Sequence, residues 1–238
     1  DNNTFQHQVE GGQAITENTT LYAKWTKNIE YEEVDYILKD TDFVVGTSTE
    51  DLIVNSYTIK SGTEMRVREK TWTNPDDATD TKAFKWSMKL AATPNLVIQA
   101  PGYGKLAVWV QNGSGGAQTQ KITFGKQGET MQTIEFAGVS TGSPIVRLEF
   151  DVEEGCTYQI GRPSGTVDLY WAEMVCSVEK SEIVGFEIVS KGKTEYLPND
   201  TYDSSKLVVQ AVYGNGRKDV IPHEELIIDS SAFQSNEA

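Results

Sequence analysis

The chain has 238 residues, a formal charge of −14 and a pI near 4.6. Such an acidic field repels nucleic acid and anionic lipid, so neither is an expected partner. No run approaches the roughly 18 apolar residues of a membrane span, so we expect no membrane insertion. Short alternating runs separated by Gly, Asn, Asp and Pro replace helical periodicity. This pattern predicts an all-β chain.

The first segment, Ile15–Trp25, reads ITENTTLYAKW and ends in alternating apolar and polar residues. Its Leu-Tyr-Ala-Lys-Trp ending resembles the end of the Listeria–Bacteroides repeat, a small β-rich module of bacterial surface proteins. The resemblance covers about the first 26 residues and implies an extracellular or cell-surface bacterial protein of several modules. We assign 1–27 to a remnant of such a repeat, with Trp25 in its core. Because the remnant is short, we expect Thr19–Trp25 to pack against the neighbouring module.

The second segment, 31–180, carries most of the predicted strands. About eight alternating stretches predict a central β-sandwich of the jelly-roll type. The clearest stretches are Phe84–Leu90, with Trp86 on its inner face, and Leu106–Gln111, Ile134–Phe136 and Val146–Val152. A final hairpin is predicted to pair Thr157–Gly161 with Val167–Val175.

Three motifs of this segment occur in order: FKWSMKL, APGYGKLAVWVQNGSG and GCTYQIGRPSGTVDLYWAEMV. Together they resemble a β-sandwich module attached to bacterial pectate lyases and other glycan-active proteins. The elements that carry the resemblance are Gly104–Trp109, Thr157–Arg162 and Tyr170–Trp171. The resemblance implies a non-catalytic glycan-binding or accessory module, without fixing the sugar.

The third segment, 181–238, resembles part of a bacterial immunoglobulin-like domain. The matching features are the lead-in Tyr196–Asp203, the alternating strand Leu207–Val212 and the turn Gly214–Gly216. Asn215-Gly216 predicts a two-residue hairpin turn in which both residues have positive φ. The resemblance implies a spacer.

The chain has two cysteines, Cys156 and Cys176. An extracellular location permits a disulfide between them, whereas buried free thiols are the alternative. In the predicted hairpin Cys156 lies opposite a residue near Glu173, so a disulfide would need a bulge.

Motifs for catalysis are missing from the sequence. The two histidines, His7 and His223, lie in the terminal segments, so the central segment lacks the base of a serine or cysteine nucleophile. Carboxylates are too numerous for a glycosidase pair to be identified by counting. We therefore expect no enzyme activity and no cofactor.

One loop is a candidate cation site. Asn74–Asp80 places Asp76, Asp77 and Asp80 close together, and carboxylate oxygens are the ligands that calcium prefers. A structural calcium there is one interpretation, and a solvated turn is the other.

Aromatic side chains are the candidate carbohydrate platform, because sugar rings stack on them at low entropic cost. Trp109 faces away from Leu106 and Val108, and Gln111 follows it on the same face. Further candidates are Trp72 and Tyr103 in predicted loops, Tyr170, predicted outward with Trp171 inward, and Arg162. For each aromatic the alternative is burial, and for Arg162 it is pairing with a carboxylate.

These features predict a non-catalytic protein that binds a polysaccharide or oligosaccharide. The acidic charge favours a neutral polysaccharide, with starch or another α-glucan as the first candidate. Pectin bridged by calcium is the first alternative, and a structural or adhesive stalk is the second. Burial of Trp109, Trp72 and Tyr170 would favour the stalk.

Overall fold

The computed structural model describes residues 29–114, 119–136, 144–191, 195, 201 and 203–228. The predicted strand Thr19–Trp25, with Trp25 itself, lies outside these residues. No helix in the described part is long and apolar enough to cross a membrane. Its strands are β1 Tyr31–Leu38, β2 Gly46–Thr47, β3 Leu52–Val54, β4 Tyr57–Ile59, β5 Glu64–Thr73, β6 Thr81–Lys89, β7 Leu96–Gln99, β8 Tyr103–Asn112, β9 Gln120–Lys126, β10 Gln132–Phe136, β11 Val146–Val152, β12 Thr157–Gly161, β13 Val167–Glu179, β14 Ile183–Lys191, β15 Leu207–Tyr213 and β16 Lys218–Val220.

Two antiparallel sheets form a β-sandwich, as the sequence predicts. The seven-stranded sheet has the order β11-β8-β13-β6-β5-β2, with β1 also pairing to β13. The six-stranded sheet has the order β10-β9-β12-β7-β4-β3. Alternate residues of the strands fill the main core between the sheets, and Leu106, Val108 and Val110 of β8 are fully buried there. Each such side chain contributes about 1.5–3 kcal/mol by leaving water.

The predicted pairing of Thr157–Gly161 with Val167–Val175 is wrong. Strand β12 pairs with β7 and β9 in the six-stranded sheet, whereas β13 belongs to the seven-stranded sheet. The link between them crosses the sandwich instead of making a tight turn. Arg162 fixes this crossing, because its backbone N–H and its Nε donate to the carbonyl oxygens of Ala91 and Leu90 at 2.9 and 2.6 Å.

Strand β6 bends in its middle, so its alternating residues do not share one face as predicted. Trp86, Met88 and Leu90 pack on the main core as expected, but Phe84 belongs to a different cluster. At the bend the buried carboxylate of Asp40 accepts the backbone N–H groups of Lys85 and Trp86. Pairing of β5 with β6 shifts register at the same place.

Strand β13 contains an irregularity between Leu169 and Trp171. Such a bulge places two consecutive residues opposite one on the partner strand. Tyr170 and Trp171 therefore both pack in the cluster outside the main core, and the predicted inward orientation of Trp171 is wrong.

Strands β14, β15 and β16 form a separate three-stranded sheet. The predicted strand Leu207–Val212 lies within β15. In the turn that follows, only Gly216 has positive φ, at +89°. The loop is thus longer than the two-residue turn that Asn215-Gly216 predicted, and the expectation of positive φ at Asn215 is wrong. The assignment of 181–238 to an immunoglobulin-like domain stays a prediction.

This third sheet contacts the sandwich through a polar cluster. The Tyr36 hydroxyl donates to Asp219 at 3.0 Å, and Arg217 Nε lies 3.0 Å from the same carboxylate. Arg217 also approaches Glu32 of β1 at 3.4 Å and donates to the carbonyl oxygen of Glu179 at 3.3 Å. The contact joins side chains of β1 to side chains of β16 and its preceding turn.

Cys156 and Cys176 are free thiols. Cys176 is fully buried in the main core, and Cys156 is partly buried against it. Burial raises the pKa of Cys176 to about 11.

Candidate functional site

The three predicted platform aromatics Trp109, Trp72 and Tyr170 are buried. Trp109 points to the outer face of β8, as predicted, but it is only 2% exposed. Trp72 lies in β5, not in a loop, and is 6% exposed, while Tyr170 is 0% exposed. The three side chains pack in an outer cluster on the sheet surface that faces away from the main core; its members are Trp72, Phe84, Ala107, Trp109, Ile145 and Tyr170, with Trp171 at its margin.

The tip of the β5–β6 hairpin, Lys70–Phe84, covers part of this cluster. The Trp72 ring meets the Trp109 ring edge-on, with centroids 5.5 Å apart. Lys82 Nζ lies 5.1 Å from the Trp109 centroid and 4.9 Å from the Trp171 centroid. Of the two interpretations given for these aromatics, the structure supports burial, because the β5–β6 hairpin lies over the outer face.

Gln111 and Arg162 hold the fold together in this structure. The Tyr170 hydroxyl donates to the Gln111 side-chain oxygen at 2.7 Å, in a buried position. Burial, together with the nearby charge of Asp168, raises the pKa of Tyr170. Arg162 binds backbone carbonyl oxygen instead of the carboxylate that the sequence suggested.

The Asn74–Asp80 loop closes on itself through hydrogen bonds. The Asp77 carboxylate accepts from the backbone N–H and the hydroxyl of Thr79 at 2.9 and 2.7 Å, and Asp80 accepts from the Asn74 side chain at 3.1 Å. Within the described residues no three His, Cys, Asp or Glu side chains form a metal-ligand group. Asp77 and Asp80 thus use part of their acceptor capacity within the loop, and a structural calcium held by Asp76, Asp77 and Asp80 stays a prediction.

Tyr103 begins β8 instead of lying in a loop as predicted, and it is the one candidate aromatic that the structure leaves open, at 61% exposure. It borders a hollow of about 330 Å³ on the outer face of the seven-stranded sheet, which we call the Tyr103 groove. That volume lies at the small end of the range of about 300–1,000 Å³ found for small-molecule sites. The groove is lined by Glu33, Tyr103, Gly104, Lys105, Ala107, Arg147, Glu149, Glu173, Val175 and Ser177.

The strand register explains why these residues meet. One row across β13, β8 and β11 contains Glu173, Ala107 and Glu149. The next row contains Val175 and Lys105, and the one beyond it contains Ser177 and Tyr103. Residues two apart on a strand share a face, so all of these side chains project outward. Small side chains in the middle make the floor, and charged ones make the rim.

Charged groups of the rim pair either with one another or with residues just outside the groove. Arg147 Nη2 lies 3.0 Å from Glu149, and Lys105 Nζ lies 2.8 Å from Asp151 just outside the groove. Glu173 lies 3.4 Å from both Lys82 Nζ and Trp171 Nε1. Paired charges at an exposed surface exchange partners readily, since such pairs contribute about 1 kcal/mol or less.

The sequence interpretation missed Glu33, Lys105, Arg147, Glu149 and Glu173. A usable signal was present for Arg147 and Glu149, which alternate with apolar residues and so mark the polar face of β11. Alternation within β11 does not show which strand pairs with it. The sequence therefore could not place Arg147 and Glu149 beside the other residues of the groove.

No protein-family description and no curated protein matches this chain. Among solved structures it is similar to a protein of the Ruminococcus flavefaciens cellulosome, from work on glycan recognition, at 17% identity and a TM-score of 0.37, over 61% of this chain and 97% of that one. It is also similar to the CBM51-2 and INT domains of Clostridium perfringens ZmpB, solved with GlcNAc, at 18% identity and a TM-score of 0.34, over 63% of this chain and 38% of that one. A third similar structure is the CBM22-1 xylan-binding domain of Paenibacillus barcinonensis Xyn10C, at 14% identity and a TM-score of 0.31, over 58% of this chain and 100% of that one.

Proposed function

We propose that this chain binds carbohydrate without altering it chemically, and that the ligand lies in the Tyr103 groove. The observation that carries the proposal is the open Tyr103 ring beside a floor of small side chains. An exposed, two-torsion aromatic offers apolar area to the C–H face of a sugar at low entropic cost. Carboxylates and the Arg147 guanidinium on the rim supply acceptors and donors for ring hydroxyls.

The charges of the groove favour a neutral polysaccharide. Glu33, Glu149 and Glu173 contribute three negative charges, and Lys105 and Arg147 contribute two positive ones. The chain as a whole carries −14. A uronic-acid polymer would approach against this field. Within the neutral class we propose starch or a related α-glucan as the first ligand to test.

In keeping with this function, we place the protein on the surface of a bacterium or in its surroundings, joined to further modules of the same parent chain. Polysaccharides of the cell's surroundings would be within reach of a protein at that location. The spacer role of the third sheet is part of the same proposal.

The test is retardation in native gels that contain starch, pectin, xylan or mannan, each with and without a chelator. We expect one neutral glycan to retard the protein and Tyr103→Ala to weaken that retardation about tenfold, the upper end of one stacking contact. Tyr31→Ala is the matched control, because Tyr31 is 58% exposed but does not line the groove. Equal loss in both variants, or no retardation by any glycan, would refute the proposal. Retardation by pectin alone, abolished by chelator, would instead support a calcium-bridged pectin module.

A structural stalk is the second candidate, and the burial of Trp109, Trp72 and Tyr170 favours it. The polar contact between Tyr36, Asp219 and Arg217 would hold successive units of such a stalk at a fixed angle. The gel experiment separates the two candidates, since a stalk needs no glycan and would not respond to Tyr103→Ala.

A further inference from the structure

The Tyr103 groove ends directly against the outer cluster. Trp171 of β13 pairs with Trp109 of β8, which pairs with Arg147 of β11. This row lies two residues along the strands from the groove row that contains Glu173, Ala107 and Glu149. The Arg147 guanidinium lines the groove and also lies 5.2 Å from the Trp109 centroid. The same sheet surface thus continues from the open groove to the two tryptophan rings.

Lys82 covers the part of this surface that carries the two tryptophan rings. Its ammonium lies over both the Trp109 and the Trp171 rings and pairs with Glu173 at 3.4 Å. A cation on an aromatic face occupies the position that the C–H face of a sugar would take. Lys82 therefore lies where a sugar would stack on these two rings.

Trp109 carries a second sign of an unfilled site. Its indole Nε1–H is buried, and it has no hydrogen-bond partner in the part of the chain that the structure describes. Buried polar groups are nearly always paired, and an orphaned donor is costly. A sugar hydroxyl between Trp109 and Trp171 would accept this hydrogen bond.

The hairpin tip contacts β13 through side chains, without strand pairing. Strand β6 pairs with β13 only at Lys89 and Met88, so Lys70–Phe84 has no strand pairing to β13. The register shift between Val67 and Lys70 lies at the base of this tip.

We propose that the carbohydrate site extends beneath the β5–β6 hairpin, and that a glycan longer than the open groove displaces Lys82 and stacks on Trp109 and Trp171. The inference rests on the proposed function and adds a chain-length preference to it. Short oligosaccharides occupy the Tyr103 groove alone. Longer segments of a linear polysaccharide gain the second subsite, at the cost of lifting the hairpin tip.

The experiment compares short and long ligands by titration calorimetry. Maltose and maltoheptaose are the probes, together with xylobiose and xylohexaose and with mannobiose and mannohexaose. In the wild type we expect the long member of one pair to bind more tightly than the short one. Lys82→Ala should tighten the long ligand about fivefold further, because apparent affinity scales with the open fraction, and leave the short one unchanged. Trp109→Phe keeps a ring but removes the Nε1 donor, so it should reduce the advantage of the long ligand.

Lys85→Ala is the matched control. Lys85 is on the same strand, and its ammonium lies 5.4 Å from the Trp86 centroid, away from the groove. It should change neither affinity. If short ligands bind but long ones gain nothing, or Lys82→Ala tightens both equally, the extension is refuted and the Tyr103 groove stands. If no ligand of either length binds, the proposed function fails and the extension fails with it.

Discussion

Tyr103 and Trp109 stand on the same face of β8, yet Tyr103 is 61% exposed and Trp109 is 2% exposed. The exposures differ because another part of the chain covers Trp109 but not Tyr103. Trp72 and Lys82 approach Trp109 from another part of the chain, and Tyr103 lies beyond their reach. Alternation along β8 therefore identifies the face of each aromatic side chain but not whether it meets solvent. Tyr103 was the correct candidate among the aromatics for exposure, and Trp109 was the wrong one.

The thiols of Cys156 and Cys176 should differ in reactivity. Cys176 is fully buried and its pKa is raised to about 11 from an ordinary value of 9.0. At pH 8 burial alone thus lowers its thiolate fraction about 100-fold, and thiolate is the reactive form. We expect a thiol reagent to label one equivalent in the native protein and two in urea. Cys156→Ser should abolish native labelling. Native labelling that survives in this variant would contradict the burial of Cys176.

At the scale of the elements, the pairing of β8 with β13 leaves no room for a side chain at Gly104. Gly104 of β8 faces the backbone of β13 so closely that an added Cβ would overlap the Val175 carbonyl oxygen and lie 2.8 Å from Cys176 Cα. No side chain fits there without separating the strands. The same glycine forms part of the groove floor, so it permits the close pairing of β8 with β13 and also contributes to the shape of the groove.

We predict that Gly104→Ala lowers the free energy of unfolding by about 1–3 kcal/mol, the usual cost of overpacking. Gly185→Ala is the control, since a Cβ at this strand glycine of β14 meets nothing within 4 Å. Its effect should stay within about 0.5 kcal/mol. Urea unfolding followed by tryptophan fluorescence measures both. Equal stability of the two variants would show that β8 and β13 lie further apart than described.

The sequence predicts the positions of strands better than it predicts which strands pair. The predicted strand Leu207–Val212 lies within β15, and Val146–Val152 coincides with β11, because alternation is local. The predicted pairing of β12 with β13 was wrong, since residues 162–166 cross between the two sheets and alternation within either strand does not distinguish such a crossing from a hairpin. The bends in β6 and β13 were also missed, because the Asp40 side chain that binds β6 is 45 residues away.

At the scale of the whole molecule, the third sheet is fixed to the sandwich by partly buried polar groups. Burial raises the pKa of Asp219 even though Arg217 Nε lies 3.0 Å away. A carboxyl group whose pKa rises on folding binds protons more tightly in the native state. Its contribution to stability is therefore present below its unfolded pKa and is lost as pH rises through its folded pKa.

Asp219→Asn removes this titration. We expect the wild type to gain stability relative to the variant as pH falls from 7 to 4. Unfolding by urea at several pH values, with the third-sheet contact monitored by hydrogen exchange of β16, measures the difference. A difference that shrinks as pH falls would mean that Arg217 outweighs burial and holds the pKa of Asp219 below its ordinary value.

The sequence by itself determined the all-β class, several strand positions, the outward direction of Trp109 and the acidic field that argues against polyanionic partners. Each of these follows from local alternation or from composition, and neither depends on which strands meet. Only the tertiary structure decided that the β5–β6 hairpin covers Trp109 and that Tyr103 remains open. It also decided that Glu33, Arg147 and Glu173 surround one groove. Those outcomes depend on contacts between residues up to 144 positions apart, such as Glu33 and Ser177 at the same groove, and alternation along a strand carries no information on them.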